Sequence, residues 1–265
     1  MEIFIKKVYS VFKEQYCKLI DQFVNDLGLF CANGMPAIHI PIMGKNYENS
    51  MTKMAFFGIE TDGWHSFQEF MEIYTGVGDK IGSTEEAFDY LVNSTEPIKY
   101  LEWTNNPHTS FWDYIFQFLI TFYQLPEPIL QNNKDYRNIL ESFIWGNTNS
   151  MERYHVTAKK QGSQYNDWEH IKNCSKIFDK AKYVLEICKP DIMLILNWGE
   201  DEKWLTDNQN IEHFEIDPHH WYYSINNTNV YWLPHPRYTS SPKGIGFGNS
   251  IQLIIKDFQS RKNGI

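Results

Sequence analysis

Nowhere in the chain do 18 apolar residues run together, so no segment reads as a transmembrane helix. The first residues, Met1-Glu2-Ile3-Phe4-Ile5-Lys6-Lys7, lack the ordered basic, apolar and small-residue zones of a signal peptide. The expectation is a soluble, cytoplasmic, monomeric protein. Cysteine is scarce, and Cys17, Cys31, Cys174 and Cys188 form no CxxC pair. Cys174 and Cys188 lie on a stretch with helical patterning, roughly 21 Å apart at 1.5 Å per residue, too far to share an ion unless that helix is broken. Reduced, mostly buried thiols are expected, with no zinc, no iron–sulfur cluster and no other cofactor. HExxH, Walker A and GxSxG patterns are missing, which counts against a zincin, a P-loop NTPase and an α/β-hydrolase. Basic residues are outnumbered, 24 Lys and Arg against 33 Asp and Glu, for a formal charge of −9. That balance counts against coating long duplex DNA by bulk electrostatics and still permits a local basic rim. No repeat, low-complexity linker or compositional break appears. One α/β domain over 1–265 is expected, with a helical extension over about 1–50.

Apolar residues are plentiful, at 42% enough for a sizeable core. Val8, Phe12, Leu19, Ile20, Phe23, Val24 and Leu27 recur at helical spacing, and Gly28 supplies a stop. Pro36 and Pro41 confine the segment between them to an edge or loop. Three near-continuous apolar runs read as strands buried on both faces: 53–60, 139–145 and 191–199. Between them lie helical patterns over about 65–74, 85–91, 111–125 and 167–188, and a last helix spans about 249–258. A weaker strand falls near 211–216. A further strand enters Tyr231-Trp232-Leu233 and stops at Pro234 and Pro236, which cannot donate ladder hydrogen bonds. Apolar strands alternating with helices predict a three-layer α/β/α sandwich with a mainly parallel, four-stranded central sheet.

Three of these strands run into polar loops: Glu60-Thr61-Asp62-Gly63-Trp64, Gly146-Asn147-Thr148-Asn149, and His235-Pro236-Arg237-Tyr238. In a parallel sheet all three meet at the carboxyl edge, where ligands bind in open α/β folds. A carboxylate, an amide and an imidazole would then converge beside aromatic rings. An amide donates and accepts, matching a nucleobase edge, and an imidazole can stabilise charge on a leaving oxygen. Plainer readings stand beside these. Glu60 and Asp62 equally suit caps of the following helix, Asn147 a turn, and His235 a solvated loop position. His219-His220 suggests a metal, but neighbouring strand residues face opposite ways. Gly244-Ile245-Gly246-Phe247-Gly248 has the look of a phosphate loop without a strand directly before it.

In motif order the chain resembles the uracil-DNA glycosylase superfamily. Gly58-Ile59-Glu60-Thr61-Asp62-Gly63-Trp64 matches its first motif, Phe143-Ile144-Trp145-Gly146-Asn147 its base-reading segment, and Leu233-Pro234-His235-Pro236-Arg237-Tyr238 its late His-Pro motif. The resemblance implies a DNA glycosylase of the base-excision repair type, acting on DNA that carries a modified base. It assigns water activation to Glu60, with Asp62 beside it, and stabilisation of the departing base to His235. Asn147, or Asn149 in its place, would read the base, and Trp64 or Phe67 would stack on it. Arg237 or Tyr238 would wedge into the duplex, with Ser240, Ser241 and Lys243 toward phosphate. Thr61 stands where the family carries proline, Glu60 is longer than the usual residue, and Arg237 replaces a common serine. An alternative reading is an inactive nucleic-acid or nucleobase-binding protein on the same fold.

Overall fold

In the computed structural model, the described residues are 2–28, 38–58, 66–77, 81–93, 110–125, 134–150, 168–178, 183–197, 205, 211–239 and 246–262. They fall into two compact units. The first contains residues 1–42, 59–95 and 146–188, and the second residues 43–58, 96–145 and 189–265.

The first unit is built on α1 (Glu2–Leu27), which ends at Gly28 with a positive φ of 70°. Its Phe12, Tyr16, Leu19, Ile20, Phe23 and Leu27 are buried, so the predicted stripe is core. Phe23 meets Phe67 of α2 (Phe67–Thr75) and Phe178 edge-on. The helices α2 and α3 (Thr84–Val92) start alike, Ser66 Oγ accepting the Glu69 N–H and Ser83 Oγ the Glu86 N–H. Asp21 on α1 ties both down, accepting the hydroxyls of Tyr74 at 3.0 Å and Thr84 at 2.6 Å.

The described strands form a seven-stranded sheet in the order β1-β3-β2-β4-β7-β6-β5. These are β1 (Ile42–Met43), β2 (Met54–Gly58), β3 (Phe143–Asn147), β4 (Ile192–Leu196), β5 (His213–Asp217), β6 (His220–Ile225) and β7 (Thr228–Leu233). The α/β class holds, and the expected four-stranded, mainly parallel sheet is corrected to a mixed one. The strands β2, β4 and β7 run parallel, whereas β5, β6 and β7 form an antiparallel meander. The cause lies in Asn226 and Asn227, whose φ angles of 50° and 66° build a two-residue hairpin closed by the Ile225–Thr228 pair. Two consecutive left-handed residues suit the strand twist, and Asn tolerates them.

The second unit packs α4 (Ser110–Tyr123) with Trp112, Ile115, Phe116, Phe118 and Leu119 inward. Phe56 of β2 meets Phe118 and Phe143 edge-on. The apolar run ending at Trp145 divides in two: Ile139 and Leu140 close α5 (Lys134–Leu140), and the strand starts only at Phe143. Short apolar runs carry no helix-or-strand signature of their own. In the same way, the helix expected over 167–188 resolves into α6 (Trp168–Ser175) and a π-turn at Val184–Cys188. After β7 come α7 (Pro236–Thr239) and α8 (Phe247–Lys262); α7 packs on both α4 and α8, which also pack together. Among the described residues, no helix is long and apolar enough to cross a membrane.

Candidate functional site

The parallel pairing gathers three strand ends. Phe57 of β2 pairs with Ile195 of β4, and Leu196 of β4 pairs with Leu233 of β7. Gly58, Leu196 and Leu233 therefore finish at one edge, the carboxyl edge of the sheet. Chain direction leaves β7 at Pro234, which is buried, and His235 follows immediately. Pro236 then starts α7, its fixed φ suiting the first helical turn.

His235 is half-buried, and its Nδ1 accepts the Arg237 backbone N–H at 3.2 Å. Burial, helped by the nearby Arg237 charge, lowers its pKa to about 4. The ring is therefore neutral near pH 7. A neutral imidazole that accepts at Nδ1 must carry its proton on Nε2. The loop thus presents a donor of fixed tautomer without a full charge. Arg237 itself is exposed.

The other predicted positions divide into three groups. Glu60, Asp62, Trp64, Ser240, Ser241 and Lys243 lie outside the described residues. Tyr238 falls on α7. Phe67, Asn147 and Asn149 belong to the first unit, whereas His235 belongs to the second. The ring of Phe67 is fully buried against Phe23 and Phe70. Asn147 ends β3 half-buried, and Asn149 is buried two residues on. The Asn149 amide nitrogen has no hydrogen-bond acceptor among the described residues.

Sequence reasoning passed over two features of the second unit. Asn197 follows β4 directly and is fully buried at the same edge as His235. Its signal was available, an apolar strand running into an amide, as at Asn147. The second feature is a chain of buried hydrogen bonds. Asp217 Oδ1 lies 2.7 Å from His220 Nδ1, His220 Nε2 lies 2.7 Å from Ser250 Oγ, and Ser250 Oγ lies 2.8 Å from the Tyr114 hydroxyl. His220, Ser250 and Tyr114 are all buried. Burial raises the Asp217 pKa, but bonds from His220 and the His219 N–H outweigh it and hold the carboxyl below its ordinary value. With Asp217 an acceptor, His220 donates through Nδ1. The Ser250 hydroxyl bridges His220 Nε2 and the Tyr114 hydroxyl.

This chain resembles a nucleophile relay in composition, but Ser250 Oγ faces protein on every side. Both ring nitrogens of His220 are engaged within this chain of bonds. Among the described residues, no three His, Cys, Asp or Glu side chains cluster as metal ligands. No protein-family model, no curated protein and no solved structure matches the chain.

Proposed function

We propose that the chain hydrolyses the N-glycosidic bond of a modified base flipped out of DNA, with His235 donating to the departing base. Uracil is the type of substrate meant. Breaking this bond leaves negative charge on a base oxygen and positive charge on the sugar, so a fixed donor lowers the barrier as charge develops. The observation that carries the reading is the neutral, Nε2-protonated His235 just beyond the carboxyl end of β7. A donor held this way needs no reorganisation during the reaction.

The remaining roles come from the resemblance. Glu60, with Asp62 beside it, holds the attacking water, and Asn147 or Asn149 reads the base. Trp64 is the better stacking ring, because Phe67 is enclosed by Phe23 and Phe70. The same resemblance gives Arg237 or Tyr238 the role of a wedge in the duplex, and Ser240, Ser241 and Lys243 that of phosphate contacts. Unpaired and mispaired bases are the first substrates expected, since flipping costs least there.

A second reading is a binding module without turnover, and the formal charge of −9 favours it over a protein that tracks duplex DNA. A panel of single-stranded and mismatched oligonucleotides, each carrying one modified base, separates the two. Scission by heat and alkali after incubation supports the glycosidase. Tight binding that depends on His235, without abasic sites on any substrate, replaces it with the binding module.

A further inference from the structure

The helix that follows His235 cannot hold itself. α7 has four residues, too short for its own hydrogen bonds to make it stable. Its position is set by the surfaces it rests on, α4 and α8. The tautomer of His235 depends on that position, because the N–H that fixes Nδ1 belongs to Arg237, the second residue of α7.

A buried hydrogen bond of Tyr114 to Ser250, at 2.8 Å, joins α4 to α8, which also meet through the rings of Phe122 and Phe258. Phe247, the first residue of α8, reinforces it by meeting the Tyr114 ring edge-on. Ser250 lies in the first turn of α8 and hands the link on to His220 of β6 and Asp217 of β5. Four elements of the second unit are joined by three short bonds, none open to water on its inner atoms. Buried polar chains of this kind fix one arrangement, because every alternative leaves a polar atom unsatisfied.

We propose that the Tyr114–Ser250–His220–Asp217 chain positions His235, by locking α4 to α8 and so fixing the seat of α7. These four are positioning residues and touch no substrate. The inference rests on the reading of His235 as the donor, but its test requires no DNA and no turnover.

The experiment is nitrogen NMR of histidine-labelled full-length protein across a pH series, with the His235 signal assigned by its loss in His235→Ala. Wild-type His235 should titrate near 4 and carry its proton on Nε2. In Ser250→Ala and in Tyr114→Phe, its titration should move up toward the ordinary value of about 6.5, with both tautomers populated. Thr228→Val is the control. It removes a buried hydrogen bond from Thr228 Oγ1 to the Pro190 carbonyl, at the far end of β7, and should lower stability while leaving His235 unmoved. If Ser250→Ala fails to fold, Tyr114→Phe decides alone. An unchanged His235 titration and tautomer in the folded chain variants overturns the proposal, as does an equal change in Thr228→Val. A wild-type protein that releases no base overturns the glycosidic reading and leaves this result standing.

Discussion

The two sides of the second unit's sheet solve the same burial problem differently. The strands β2 and β4 are buried at every residue, while β5 at the far edge leaves His213, Phe214 and Glu215 exposed. Parallel strands covered on both faces have no room for polar side chains along their length. Their polar residues stand past the strand ends, at Asn197 and His235. The antiparallel side carries polar groups on its faces instead. There Asp257 accepts the Tyr231 hydroxyl at 2.8 Å and Arg261 at 2.6 Å, and the Arg261 guanidinium sits 3.5 Å from the Tyr222 ring centre. Such groups hold helix α8 to the meander, and the buried chain from Asp217 to Tyr114 belongs with them. The lesson is one of location: in this sheet, polar residues along a strand serve structure and those beyond a parallel end are the candidates for function.

The sharpest contrast between the two sides is in core substitution. Leu194→Ala, at the fully buried centre of β4, should cost about 2–5 kcal/mol in denaturant unfolding. Phe214→Ala, on the exposed edge, should cost about 1 kcal/mol or less, because the ring is half exposed and its neighbours are Tyr222 and Arg261 at the surface. Comparable losses at the two positions would erase the distinction.

A pH series tests the strand-end side by itself. The folded pKa of His235, about 4, lies below the unfolded value of about 6.5, so the unfolded chain binds more protons between the two. The contribution of His235 is fully present above about pH 6.5 and is lost as pH falls toward 4. Its size is at most about 3 kcal/mol. His235→Gln should flatten that part of the stability profile, as measured by thermal or denaturant unfolding at each pH.

A smaller effect tests the meander. Asn227→Val places a β-branched residue at a φ of 66° and should cost about 1–2 kcal/mol, whereas Asn227→Gly should be tolerated. Equal stability of the two variants would mean that the hairpin does not depend on left-handed residues.

How far the sequence reveals all this follows from the range of the forces involved. The runs at 54–58 and 192–196 are legible as buried parallel strands because their cover on both faces demands continuous apolar residues. α1 is legible from its spacing, and Ser66 and Ser83 carry local cap signals. The β6–β7 hairpin had a local sign, Asn226-Asn227 between β-prone residues, which went unread; without it the sheet looks smaller and more parallel than it is. The buried polar chain had none. Ser250 is 30 residues from His220 and 136 from Tyr114, and nothing in the spacing announces their meeting. His235 stood out because two prolines bracket it, but its neutral state and tautomer come from burial and from Arg237 N–H, which only the folded loop supplies.

The central claim is that His235 donates to a departing base, and the direct measurement is the initial rate of abasic-site formation. Wild-type protein and His235→Ala should be compared on one single-stranded oligonucleotide containing a single uracil, at pH 7, with circular dichroism confirming that both are folded. The account predicts a loss of about 100- to 1,000-fold, corresponding to roughly 2.7–4 kcal/mol of transition-state stabilisation. Equal rates for the two proteins would contradict it, as would wild-type protein that forms no abasic sites on any modified base.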